Sequence, residues 1–247
     1  MEVQILYNSY LPAFLSMFLL IYLFAFFVTF RNWGPKHRPE ASSCLISLAH
    51  GTPAVVMAIH AKFQTQRPTC FASPNTSYQN IVLEFSIAYF LLDLFHYIIS
   101  NPNEIVFISH HLATLYVFMT CRYIVHHGAL PILVLLVLAE VTSPCQNLWS
   151  ITGFTKADIP TAARFHEFLS PRFYALHSIF RGILGPIFVY KMGVFYKNGA
   201  ADRLIPNWAW ISWMFVIATA ILVSLLWICI HWIDWHNERI QKADKKV

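Results

Sequence analysis

The run from Leu11 to Phe30 contains twenty residues and not one charged side chain. A helix rises about 1.5 Å per residue, so about 20 residues cover the hydrocarbon core of a bilayer. Every backbone polar group inside lipid needs a partner within the protein, and a helix supplies these partners within one segment. This run therefore predicts a membrane-spanning helix and constrains everything that follows it.

Six further apolar runs have similar lengths, although the first of them is interrupted by His50, Gly51 and Pro53. Only 12% of the residues are charged, compared with about 25% in an ordinary soluble domain. We therefore predict an all-α fold, a polytopic membrane helix bundle of about seven transmembrane helices. The six runs are Ser42–Ala61, Ile81–Ser100, Val106–Ile124, Ala129–Ile151, Phe173–Tyr190 and Trp208–Trp235.

Lysine and arginine lie mainly between these runs, where they orient a membrane protein with its basic loops in the cytosol. A cytosolic C-terminus places ten of them on the cytosolic side (Arg31, Lys36, Arg38, Lys156, Arg164, Arg172, Arg239, Lys242, Lys245 and Lys246) and six on the lumenal side (Lys62, Arg67, Arg122, Lys191, Lys197 and Arg203). The net charge of +5 is explained by these loops. No motif for nucleic-acid binding is present, and we expect no nucleic-acid partner.

Ionisable residues within membrane spans are costly unless paired or hydrated, so each is a candidate for function. The third and fourth runs are joined only by residues 101–105, which makes the two helices antiparallel. His96 and His110 are each seven residues from Asn103 and should lie at similar depth. Asp93 shares a helix face with His96 three residues later. We therefore predict a polar cluster that includes His110 and its neighbour His111.

Two later spans add polar groups in the same half of the membrane. His177 and Arg181 lie one turn apart on the sixth span, and Glu140 lies nearer the midplane on the fifth. Pro144 follows Glu140 by four residues, so its ring should open the helix there. We expect Arg181 to pair with Asp93 or Glu140 in the resting state, and otherwise with a phosphate.

Other interpretations of these residues remain open. The buried polar side chains could simply hydrogen-bond across helices and fix their register. Asp93, His96 and His110 could together bind zinc, although no metal is our leading expectation. Glu84 lies half a turn from Asp93, near the lumenal entry, and should reach water by extending its side chain.

The segments YFLLDLFHYIISNPNEIVFISHHLATLYVF and LAEVTSPCQNLW resemble the TLC-domain family of multispanning membrane proteins, which includes ceramide synthases. The resemblance divides the chain into residues 1–38, an N-terminal transmembrane helix and first loop, residues 39–235, a TLC-type transmembrane domain, and residues 236–247, a basic cytosolic tail. In ceramide synthases the matching histidine pair is implicated in moving an acyl group from coenzyme A to a sphingoid amine. Their HDxxD-type segment is absent here, where AEVTSPCQ stands instead, and this favours the small TLC-domain proteins linked to lipid homeostasis.

The resemblance implies a role in membrane lipid metabolism or homeostasis, with membrane lipids as partners, in the endoplasmic reticulum. Acyl transfer is the most concrete hypothesis, with His110 or His111 as base or nucleophile and Asp93 holding the imidazole. The remaining candidates would bind substrate, and they are His96, Glu140, His177 and Arg181. No cofactor is expected, and long-chain acyl-coenzyme A is the candidate co-substrate. The alternative is a non-enzymatic protein that binds or traffics lipid.

Overall fold

The computed structural model of the protein describes residues 9–63 and 70–244. It contains seven helices that are long and apolar enough to cross a membrane, and no strand lies within the described residues. The predicted all-α bundle of seven spans is confirmed, and the chain is a multi-pass membrane protein. Arg67, Lys245 and Lys246, which entered the charge count, lie outside the described residues. The helices are α1 (Leu11–Thr29), α2 (His37–Phe63), α3 (Ser77–Ser100), α4 (Ile105–Val125), α5 (Ala129–Thr155), α6 (Pro160–Lys197) and α7 (Asn207–Asp244).

Helix α3 is the centre of the bundle. Of its most apolar stretch 67% is buried, compared with 11% for α1, α6 and α7. It begins at a capping box, in which Thr76 and Gln79 satisfy each other's backbone N–H groups. It packs against α1, α2 and α4. Side chains on several of its faces therefore point into protein and not into lipid.

Helix α6 is longer than the sequence suggests. The predicted span began at Phe173, whereas the helix begins at Pro160, a residue that fits the first turn because its missing N–H has no partner there anyway. The polar segment before Phe173 is thus helical. Between Ser178 and Leu184 the helix widens into a π-helical turn, a feature often found at functional sites.

Helix α5 is broken where Pro144 predicted it. Its first half ends at Glu140, and its second half, Ser143–Thr155, has Pro144 in its first turn. The last four carbonyls of a helix have no partner within that helix. Ala139 is one of these residues, so the break leaves its carbonyl oxygen open to another donor.

The expectation that Glu84 reaches water is wrong. Glu84 is 1% exposed and forms a salt bridge of 2.7 Å with Nη2 of Arg122 on α4. Its other carboxylate oxygen accepts a hydrogen bond of 2.7 Å from the backbone N–H of Tyr10, just before α1. The carboxylate thus ties together three helices, and the cost of burying its charge is offset by an opposite charge within the protein.

Neutralising Glu84 should destabilise the protein strongly, because Arg122 would keep a buried charge without a partner. Breaking a buried ion pair on one side costs about 3–5 kcal/mol. We expect Glu84→Gln to lower the thermal unfolding temperature in detergent micelles, and Glu84→Gln with Arg122→Met to recover most of the loss. Equal losses in the single and double variants would contradict a coupled pair.

Candidate functional site

Asp93 organises the polar interior of the bundle. It lies on α3, is 3% exposed, and accepts a hydrogen bond of 2.6 Å from the Ser43 hydroxyl of α2. Its second oxygen lies 2.9 Å from Nε2 of His111 and accepts a weaker bond of 3.4 Å from the Tyr89 hydroxyl. Three helices therefore converge on this carboxylate.

His111 faces an oxygen at each ring nitrogen. Nδ1 lies 2.7 Å from the backbone carbonyl of Phe107, one turn earlier on α4, and Nε2 lies against Asp93. Both contacts are hydrogen bonds when both ring nitrogens carry a proton. They are also both satisfied when Nδ1 is protonated and a protonated Asp93 donates its proton to Nε2. Neither nitrogen has a lone pair directed at open space, so His111 is held in place and is not a free base.

His110 differs from its neighbour. Neither of its ring nitrogens has a hydrogen-bond partner in the part of the chain that the structure describes, and its ring lies against the aromatic rings of Phe90 and His111. The two adjacent rings are nearly perpendicular, at 89°. One imidazole of the pair is thus fixed, and the other has nitrogens available to a ligand.

His96 turns away from the other histidines. Its Nδ1 lies 3.1 Å from the Tyr22 hydroxyl of α1, and its Nε2 has no hydrogen-bond partner among the described residues. The sequence predicts similar depth for His96 and His110, and both line the polar cavity described below, but their rings are not in contact. Residues three apart on a helix point about 60° apart, which directs Asp93 to α4 and His96 to α1.

Glu140 lies at the end of the first half of α5 and is 7% exposed. Its Oε2 accepts a hydrogen bond of 2.6 Å from the Ser143 hydroxyl across the break. His50 of α2 is fully buried, and its Nδ1 is 3.9 Å from the same oxygen. The His50 ring stacks on Tyr89 with the centroids 4.1 Å apart. His50 therefore links the surroundings of Glu140 to those of Asp93.

The expected pairing of Arg181 with an acid is wrong in this structure. Within the described residues no carboxylate lies within salt-bridge distance of its guanidinium. Nη2 and Nε instead donate to the carbonyl oxygen of Ala139, at 2.7 and 3.2 Å. The break in α5 supplies this acceptor, and the π-helical turn of α6 carries the arginine.

His177 does not join the cluster. Its Nδ1 lies 3.4 Å from the Thr142 hydroxyl, and its ring packs against Phe173 and Trp227. It is 2% exposed. The structure places it behind the break in α5, among aromatic side chains, and away from the cavities described next.

Two cavities of opposite character meet at this site. A polar cavity of about 330 Å³ is lined by Asp93, His96 and His111 together with hydroxyl and amide groups of α2 and α5. An apolar cavity of about 130 Å³ lies between α4, α5, α6 and α7. The two share four lining residues, which are Phe90, His110, Glu140 and Arg181.

Metal binding at this site is not supported by the geometry. Across residues 9–63 and 70–244, no three histidine, cysteine, aspartate or glutamate side chains are grouped so that they could hold a metal ion. Asp93 and His96 engage different helices, and Asp93 is already occupied by three donors. The zinc alternative therefore has no ligand set here.

A family model described as "TLC domain" matches residues 40–232. The chain belongs to the TLC-domain family. A TLC domain-containing protein of Arabidopsis thaliana is 56% identical over 242 residues, which cover 96% of this chain and 95% of that relative. No solved structure matches the chain. The resemblance seen in the sequence is thus confirmed at the level of the family.

Sequence reasoning missed the residues that hold this TLC-domain site in place. His50 and Ser43 lie on α2, where the sequence shows only an interrupted apolar run. The signal for His50 was the interruption itself, because a histidine beside Gly51 in mid-span is costly unless it contacts a polar group. Tyr89 and Ser43 carry no such signal, since hydroxyl side chains are common in membrane helices.

Gly51 allows α2 to approach Glu140, and a side chain there should disturb the site. A Cβ atom at Gly51 would lie 3.1 Å from the Glu140 carboxylate and 3.0 Å from Cβ of Ser143. Alanine favours a helix by about 1 kcal/mol over glycine, whereas overpacking costs about 1–3 kcal/mol. We expect a net loss of stability for Gly51→Ala in thermal unfolding.

Gly34→Ala is the matched control, because a Cβ there would meet no atom within 4 Å. It should leave the unfolding temperature unchanged or slightly raised. A stabilised Gly51→Ala variant would show that Glu140 and Ser143 are free to move, against the rigid arrangement described here.

Proposed function

We propose that this protein transfers a lipid acyl group at His110, from a long-chain acyl-coenzyme A to a lipid acceptor, in the endoplasmic reticulum membrane. The observation that carries the proposal is an unpaired imidazole at the junction of a polar and an apolar cavity. An acyl thioester needs this combination, because its carbonyl must meet a nucleophile while its chain stays out of water. Membership of the TLC-domain family supports a role in lipid metabolism.

The two histidines have different tasks in this proposal. A neutral imidazole is a competent nucleophile near neutral pH, and His110 has ring nitrogens available. His111 is anchored by Asp93 and the Phe107 carbonyl, and it supports the position of its neighbour. Ser43 and Tyr89 in turn fix the orientation of Asp93. Asp93 is thus a positioning residue that acts through His111.

The chemistry balances without a cofactor. A ring nitrogen of His110 attacks the thioester carbonyl, a C–N bond forms, and the C–S bond breaks. The leaving thiolate takes the proton from the other ring nitrogen, which leaves a neutral acyl-imidazole and a free thiol. A hydroxyl or amine of the acceptor then attacks the acyl carbon, the C–N bond to His110 breaks, and the acceptor's proton goes to the imidazole, which is restored to its neutral form.

Arg181 is placed to stabilise the negative charge that develops on the carbonyl oxygen. A guanidinium carries five N–H protons, and the Ala139 carbonyl engages only the Nε proton and one on Nη2. The remaining protons are available to an oxyanion or a phosphate, since Arg181 lines both cavities. Preorganised donors of this kind are worth about 10²–10³-fold in rate.

The proposal is tested by incubating purified protein in lipid nanodiscs with palmitoyl-coenzyme A and measuring the intact mass. We expect a palmitoyl adduct that is acid-labile and absent from His110→Ala. His60→Ala is the control, because this histidine is exposed on α2 and lies outside both cavities.

No adduct and no acylated lipid product in the unmodified protein would refute acyl transfer. If that protein still copurifies with a bound lipid, the non-enzymatic lipid-binding function would replace it. An adduct that survives in His110→Ala but not in His111→Ala would reverse the assigned roles.

Arg181→Lys should slow adduct formation, because lysine keeps the charge but cannot hold the Ala139 carbonyl and an oxyanion with one planar group. We expect single-turnover rates to fall by about 10–10²-fold, with little change in the concentration of thioester that gives the half-maximal rate. A change in that concentration alone would assign Arg181 to substrate binding.

A further inference from the structure

The apolar cavity is too small for a whole fatty acyl chain. Its volume is about 130 Å³. A protein cavity of about 150 Å³ is filled by benzene, which has six carbons. A palmitoyl chain therefore places only its first few carbons in this cavity when its carbonyl lies at His110. The remaining carbons of the acyl chain must therefore lie outside this cavity.

Among the described residues, two regions border this cavity. All of its lining residues lie within membrane-spanning helices, so an opening leads either to the polar cavity, at the shared residues, or to the bilayer. The polar cavity is lined by aromatic rings together with carboxylates, histidines and hydroxyl groups, and an alkyl chain there would take water from these polar groups without replacing its hydrogen bonds. The methyl end of the chain is thereby directed to the bilayer.

The seam between α4 and α7 forms one wall of the cavity. Hydrogen bonds join these helices at Tyr116–Ser212 (2.7 Å) and Thr120–Trp213 (2.8 Å), both farther from Asn103 than the cavity mouth at His110. Nearer to His110, the cavity lining includes the small side chains of Ala113 on α4 and Ala220 on α7. Small residues leave room for a chain to pass between two helices.

We infer that the protein recognises only about the first six carbons of an acyl chain, and that the remainder lies in the bilayer after passing between α4 and α7. The inference rests on the proposed acyl site at His110. Ala113 and Ala220 are then the positions that determine specificity, because they limit the width of the chain at the seam. The ligand class is an acyl thioester or ester of any length, unbranched near its carboxyl end.

The first experiment compares acyl-coenzyme A donors in nanodiscs. Octanoyl, palmitoyl and lignoceroyl thioesters should give adduct yields within about threefold of one another, because extra methylenes lie in lipid. A methyl branch at carbon 4 should lower the yield at least about tenfold, whereas a branch next to the terminal methyl should not. A preference for one chain length, or equal tolerance of both branches, would overturn the inference.

The second experiment does not require turnover. Palmitoyl-coenzyme A carrying a photoreactive diazirine at carbon 4 should label the cavity wall, within residues 132–139 or 216–224. The same probe with the diazirine at carbon 15 should label lipid or the outer surface of α4 and α7. Labelling of the cavity wall by both probes would show that the chain folds inside the protein, and it would overturn the inference.

Substitutions on α7 provide the matched pair. Ala220→Phe should abolish cavity labelling by the carbon-4 probe, and the milder Ala220→Leu should reduce it. Ala218→Phe should leave it unchanged, because Ala218 is exposed on the same helix and does not line the cavity. Equal losses of cavity labelling in the Ala220 and Ala218 variants, with all variants monodisperse, would contradict passage of the chain between α4 and α7.

Cavity labelling without any acyl adduct would separate the two claims. Acyl transfer would then fail, while the binding mode of the chain would stand. An adduct that forms with strong selection for chain length would support acyl transfer and overturn the proposed binding mode of the chain.

Discussion

The break in α5 is the constraint on which the site depends. Inside a bilayer no water is available to satisfy an open carbonyl, so a helix can be interrupted only where the protein supplies donors. Pro144 interrupts α5 after Glu140, and Arg181 supplies the N–H groups that the Ala139 carbonyl needs. The break thus gives the guanidinium an acceptor inside the bundle, although no carboxylate among the described residues lies within salt-bridge distance of it. The same break allows Ser143 to bind Glu140 from the second half of the helix.

The remaining buried charges follow the same rule of internal compensation. Glu84 is matched by Arg122 and Asp93 by His111, each across two helices. These pairs join α3 to α4 at two depths and fix the register of the antiparallel helices. His110 differs from these residues, because its ring nitrogens have no polar partner among the described residues, whereas both ring nitrogens of the adjacent His111 face an oxygen. The proposed function assigns His110 to a ligand because neither of its ring nitrogens has a partner among the described residues and because it lines both cavities.

The sequence predicts the bundle well because apolar length and helix rise determine how many times a chain crosses a membrane. It also places Asp93, His110, His111, Glu140 and Arg181 in one region, since short loops and helix periodicity fix depth. It does not predict partners, because a rotation of about 60° decides which neighbouring helix a side chain meets. His96 and Glu84 show this, since the first turned to Tyr22 and the second to Arg122. Arg181 was misjudged for another reason, because the competing acceptor was a backbone carbonyl, which has no sequence signature.

The structure shows what surrounds Glu140 in the fifth span, where the sequence differs from the ceramide-synthase pattern. The sequence has no histidine beside Glu140 on its own helix, yet an imidazole lies 3.9 Å from that carboxylate, contributed by His50 of α2. Gly51 makes this approach possible, because any side chain there would press on Glu140 and Ser143. A histidine and a carboxylate can thus be brought close together from two different helices, although no motif in the sequence joins them. The proposed acyl transfer rests on the His110 imidazole at the boundary of two cavities, and that arrangement depends on the fold as a whole and not on any single segment.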